Sequence, residues 1–82
     1  MRISIRLLCA DLLVPSGVQE LDVTDSATVA QALTSYLKLH PVEDPLNKLY
    51  ESMFLVGSRP AKLDTVLQDH DELMVLRILH GG

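Results

Sequence analysis

Apolar and polar residues alternate from the start of the chain, with Ile3, Ile5 and Leu7 on one side and Arg2, Ser4 and Arg6 on the other. A period of two describes a half-buried strand. The alternation predicts a strand over 2–8, with Leu8 on its outward face. Pro15-Ser16-Gly17 supplies turn chemistry. Val18 to Thr24 then repeats the alternation, with Leu21 and Val23 inward and Glu20 and Asp22 outward. The first two strands are expected to form a hairpin.

The period then lengthens. Val29, Ala32, Leu33, Tyr36, Leu37 and His40 recur at helical spacing, which predicts a helix over 28–39. Thr28 and Gln31 have the spacing of a capping box, and Pro41 closes the segment because the residue before Pro disfavours helical angles. Its single apolar stripe requires a sheet face to cover. Leu46, Leu49 and Tyr50 point to a short second helix after Asp44-Pro45, with Pro at a tolerated first position. Met53-Phe54-Leu55-Val56 is a third strand, Gly57-Ser58-Arg59-Pro60 a tight turn and Ala61-Lys62-Leu63 a short fourth strand. A loop around Asp69-His70-Asp71 leads into a last strand over 72–78. The order β-β-α-β-β-β fits an α+β fold of β-grasp type. This is a mixed sheet of four to five strands under one main helix, with the first and last strands parallel at its centre.

Composition narrows the function classes. With 82 residues, the chain is expected to be a single domain over 1–82, ending in a flexible tail at 79–82. Hydrophobic residues make up 48% of the chain, but Phe occurs once and Trp not at all, so the core is aliphatic. The net charge of −4, with no basic cluster, argues against nucleic-acid binding. The single cysteine, Cys9, excludes an internal disulfide and fits a reducing compartment. No apolar stretch approaches the roughly 20 residues of a membrane span, and the start is unlike a signal peptide. A cytoplasmic protein, monomeric when unbound, is expected.

The chemistry is expected at the other end. Gly81-Gly82 follows the last strand and presents a carboxylate on a stalk without side chains, able to enter a slot too narrow for a Cβ. A carboxylate is a poor acyl donor until ATP activates it. Nothing in the sequence resembles a nucleophile–base pair, a phosphate loop or a carboxylate dyad.

Leu67-Gln68-Asp69-His70-Asp71-Glu72-Leu73, followed by a strand and a terminal Gly pair, resembles the end of the ThiS/MoaD family of ubiquitin-like sulfur carriers, whose pattern is Leu-x-Asp-Gly-Asp-Glu-Val. Val56-Gly57-Ser58-Arg59-Pro60 and the Thr28-Val29 helix start match in place. His70 stands where the family has Gly, so a non-glycine residue is expected at positive φ. Arg77-Ile78-Leu79-His80 replaces the Pro-Pro pair of molybdopterin-synthase small subunits, whereas the long connector at 40–51 favours that branch over the thiamin-thiazole carriers.

The resemblance implies a carrier and not an enzyme: an E1-like adenylyltransferase uses ATP to adenylate the Gly82 carboxylate. A sulfur donor then makes a thiocarboxylate, which a synthase large subunit accepts. Gly81 would give the tail access to the partner's slot, and a chain ending at Gly82 would need no proteolytic maturation. The expected docking patch is Leu8, Met74, Leu76 and Ile78, edged by Pro60, with Arg77, Leu79 and His80 completing the contact along the tail. The alternatives are a ubiquitin-like modifier joined to lysines through Gly82, and a β-grasp binding module with an inert tail.

The remaining polar residues have plainer readings. Cys9 is a packing thiol or a sulfur relay, and His40, His70 and His80 share no metal-ligand spacing. His80 is solvated or orients the reacting carboxylate. Arg77 is an exposed charge or meets an acidic partner or the adenylate. Asp69, Asp71 and Glu72 form a solvated turn or pair with a basic rim.

Overall fold

The computed structural model describes residues 1–9, 17–43 and 47–77. Along them run β1 (Arg2–Cys9), β2 (Val18–Asp22), α1 (Val29–Leu39), a 3₁₀ turn (Lys48–Glu51), β3 (Met53–Val56), β4 (Arg59–Ala61) and β5 (Glu72–Arg77). The sheet order is β2-β1-β5-β3-β4. β1 and β5 are parallel, and the other pairs are antiparallel. This mixed sheet with one covering helix is a ubiquitin-like β-grasp fold.

One face of the sheet and one stripe of α1 make the core. Ile3, Ile5 and Leu7 of β1, Leu73 and Val75 of β5, Leu21 and Phe54 are buried against Val29, Ala32, Leu33 and Tyr36 of the helix. Full burial of each large aliphatic side chain contributes about 1.5–3 kcal/mol. Leu49 of the 3₁₀ turn and Leu67 of the loop before β5 are also fully buried. These two side chains fasten stretches of irregular backbone to the same core.

The start of α1 leaves no orphan amide among its first four. Val29 N donates to Thr65 O and Ala30 N to Leu63 O, both at 3.0 Å. Gln31 N donates to Thr28 Oγ1 at 3.3 Å and Ala32 N to Thr28 O at 2.9 Å. Thr28 N in turn donates to Gln31 Oε1 at 2.9 Å, completing the capping box. At the other end, His40 N donates to Tyr36 O, and the His40 ring lies 5.0 Å from that of Tyr36.

Several expected boundaries move. β1 runs one residue further, to Cys9. Thr28 is the cap, so α1 starts at Val29. β2 stops at Asp22, although Val23 still exchanges two hydrogen bonds with Met1. The turn before β4 holds only Gly57 and Ser58, since Val56 pairs with Arg59. Gly57 has φ 63°, the conformation a two-residue hairpin turn of the II′ class assigns to Gly. Arg59 and Pro60 therefore belong to the fourth strand, which ends at Ala61 and leaves out the Lys62 and Leu63 expected in it. Pro60 is tolerated there because β4 is an edge strand. The connector helix is a 3₁₀ turn beginning at Lys48 behind Asn47 at φ 54°; its expected start at Pro45 lies outside the described residues. So do Ile78, at the end of the last strand, and the tail at 79–82.

Candidate functional site

Among the described residues, the sheet face away from α1 carries no helix, and cross-strand register orders its side chains into rows. Leu8 of β1 pairs with Leu76 of β5, which pairs with Met53 of β3. This row is wholly apolar and adjoins Arg77, the last residue of β5. The next row runs Val18, Arg6, Met74, Leu55 and Pro60 across all five strands. The third begins Glu20, Ser4, Glu72. Leu8, Val18 and Met53 expose 42%, 58% and 64% of their surface, large fractions for apolar side chains sharing one face.

The structure thus brings together Leu8, Met74, Leu76 and Pro60 on one surface. Arg77 is not on it. It has the same parity as the buried Leu73 and Val75, and its guanidinium donates to the Lys48 carbonyl at 2.8 Å, tying the end of β5 to the 3₁₀ turn. Ile78, Leu79, His80, Gly81 and Gly82 lie outside the described residues. Val18, Arg6, Met53 and Leu55 join the face without having been selected from the sequence. Met53-Phe54-Leu55-Val56 does not alternate, so only its pairing with β5 sets which residues face outward. Val18 did carry a signal, since it shares the outward parity of Glu20 and Asp22.

A shallow depression of ≈ 90 Å³ opens on this face among Ser4, Arg6, Val18, Gly57, Glu72 and Met74. The Arg6 guanidinium makes no hydrogen bond or ion pair among the described residues. Arg2, further from the apolar row, is engaged with Glu20 at 3.3 Å and Asp22 at 3.2 Å. That exposed network leaves the far rim acidic in balance.

The acidic turn before β5 has a structural task. Asp69 Oδ1 accepts from Arg2 N at 2.9 Å, and Asp71 Oδ2 accepts from Gln68 N at 2.7 Å. His70 sits at φ 68°, as expected for the position where the family pattern has Gly, and its amide donates to Arg2 O at 2.7 Å. The turn therefore clips the start of β5 to the start of β1. The Arg2 amide, with a smaller contribution from the His70 imidazole, holds the Asp69 carboxyl below the usual carboxylate range. Glu72 is exposed at the edge of the depression.

Cys9 lies in the core, with its thiol 3.9 Å from the Val75 carbonyl. Its position is that of a packing residue. Tyr36 beneath the sheet has a buried hydroxyl without a hydrogen-bond partner among the described residues. Burial, with a lesser effect of the Cys9 thiol, pushes its pKa up. His40 and His70 belong to different elements. Among the described residues, no three His, Cys, Asp or Glu side chains form a group able to hold a metal ion, and no helix is long and apolar enough to cross a membrane.

No family model matches the chain, and no curated protein matches it. Solved structures do. A crystal structure of SAMP1 from Haloferax volcanii is 28% identical over 100% of both chains, with a TM-score of 0.79. A crystal structure of small archaeal modifier protein 1 from H. volcanii is 26% identical over 90% of this chain and 93% of that one, with a TM-score of 0.71. The chain therefore shares its whole ubiquitin-like β-grasp architecture with small archaeal modifier proteins.

Proposed function

We propose that this protein is a carrier whose Gly82 carboxylate is adenylated by an E1-like enzyme and converted to a thiocarboxylate that donates sulfur in cofactor biosynthesis. The observation that carries this reading is the exposed apolar row Leu8–Leu76–Met53 beside the end of β5, five residues before Gly82 in the sequence. A partner covering that row is held next to the strand from which the Gly pair extends. Five residues span at most about 18 Å, enough to reach into a neighbouring active site. The end-to-end likeness to a small archaeal modifier protein supports the same reading.

The chemistry balances as follows. A Gly82 carboxylate oxygen attacks the α-phosphorus of ATP and pyrophosphate leaves. A sulfide-level donor attacks the acyl carbon, AMP leaves, and the chain ends in –COS⁻. The protein supplies the docking face and the unbranched tail, and the partner supplies ATP binding and the chemistry. The acceptor is a synthase large subunit, with molybdopterin-type synthesis favoured over thiazole synthesis on the length of the connector at 40–51. Leu8, Pro60, Met74 and Leu76 contact the partners, with Ile78, Leu79 and His80 leading to the reacting end. Arg77 contributes by fixing the end of β5 through its bond to Lys48.

A second reading is a protein modifier that uses the same adenylate but passes the acyl group to a lysine. The similar archaeal protein is a small modifier protein, which favours it. Mass spectrometry of the C-terminal peptide separates the two, after incubation with the E1-like enzyme of the same organism, ATP and a sulfide donor. Sulfur replacing one oxygen at Gly82 is the expected result. Gly82 found only in isopeptide linkage to lysine would transfer the assignment to the second reading, and an unmodified carboxylate would overturn both.

A further inference from the structure

We infer that Arg6 selects the partner: the protein that covers the open sheet face presents a carboxylate to the depression beside Arg6. This rests on the reading that the face docks an E1-like enzyme, and adds what that enzyme must offer. Arg6 is exposed on β1, opposite Met74 on one side and Val18 on the other. Leu8 follows two residues along the same strand face, and Leu55 and Pro60 continue the row beyond Met74. A partner that seals this apolar surface removes water from the guanidinium.

Among the described residues, no carboxylate bonds Arg6. Glu20 and Glu72 are in the adjacent row, both opposite Ser4, yet neither bonds Arg6. Glu20 is instead held by Arg2. A desolvated, unpaired cation is costly, whereas one met by a carboxylate in bidentate geometry is strongly favoured. Arginine surrounded by apolar contacts is also a common anchor of protein interfaces. The same residue therefore admits an acidic counterpart and rejects an apolar or basic one.

The test uses the intact chain and the E1-like adenylyltransferase of the same organism. ATP–pyrophosphate exchange is followed against carrier concentration for wild type, Arg6→Ala, Arg6→Lys and Arg6→Glu. Loss of a desolvated charge pair predicts a KM for the carrier raised at least about 30-fold in Arg6→Ala. A larger rise is expected in Arg6→Glu, and partial recovery in Arg6→Lys, which keeps the charge without the fork. The rate at saturation stays that of wild type, because Arg6 does not touch the reacting carboxylate. The wild-type KM rises with salt more steeply than that of Arg6→Ala.

Equal KM values across the four proteins, with wild type activated, would overturn the inference and leave the docking face intact. Absence of exchange with wild type itself would overturn the proposed function and this inference with it. A second occupant is another copy of the chain, pairing Arg6 with Glu72 across a two-fold axis. A concentration-dependent dimer lost in Arg6→Ala would assign Arg6 to self-association and also overturn the inference.

Discussion

Three residues show how local chemistry is settled by burial and backbone geometry. Tyr36 belongs to the helix stripe read from its spacing, but its hydroxyl is buried without a hydrogen-bond partner among the described residues. An unsatisfied buried donor costs about 1–3 kcal/mol, so Tyr36→Phe is expected to be neutral or stabilising by about 1 kcal/mol in urea denaturation. Because the Tyr36 pKa is raised in the folded state, native protein keeps its proton where the unfolded chain releases it. Stability present below the ordinary tyrosine range is lost as pH rises through the folded value, and the Phe variant should lack that loss. Asp69 behaves in the opposite sense. Its folded pKa is depressed by the Arg2 amide, so the native state binds fewer protons than the unfolded chain. Its contribution is present above the usual carboxylate range and declines as pH falls through the folded value. Acid denaturation of Asp69→Asn should show a shallower slope in that window. An unchanged slope would mean the Asp69–Arg2 bond does not set the acid limb. His70 at positive φ was legible because the family pattern has Gly at that position.

Elements were legible wherever a period was unambiguous. β1, β2 and α1 each have one apolar side, and the Thr28–Gln31 spacing alone marks the cap that the two bonds form. Thr28→Ala removes the hydroxyl that accepts from Gln31 N while keeping the Thr28 amide that donates to Gln31 Oε1, and it is expected to cost about 1 kcal/mol, measured by chemical denaturation; a loss under a few tenths would mean that the remaining amide bonds to the Thr65 and Leu63 carbonyls suffice. β3 was legible as a strand but not in parity, because all four of its residues are apolar. Parity there is a property of pairing with β5, which no local pattern encodes. The limits of β4 were missed for a related reason. Pro60 reads as a turn residue in sequence, whereas an edge position makes its missing N–H harmless. The 3₁₀ turn is held by Leu49 in the core and by the Arg77 and Ser52 bonds to the Lys48 carbonyl, contacts between residues distant from or weakly patterned in the sequence.

At the scale of the molecule, the parallel pairing of β1 with β5 links the open face to the strand that precedes the Gly pair in the sequence. It sets Leu8 beside Leu76 and places the most apolar row at the end of β5, with the acidic rim further from it. Met53→Arg on this row is expected to change stability by no more than about 0.5 kcal/mol, as for ordinary surface sites, while weakening binding of the E1-like enzyme in calorimetric titration. Unchanged affinity would remove Met53 from the contact. The central claim is that Gly82 is the group activated. It is tested most directly by exchange of labelled pyrophosphate into ATP, catalysed by the E1-like enzyme of the same organism in the presence of this protein. The account predicts exchange with the full chain and none when Gly82 alone is deleted, with both proteins folded. Equal exchange with and without Gly82, or none with the full chain, would contradict it.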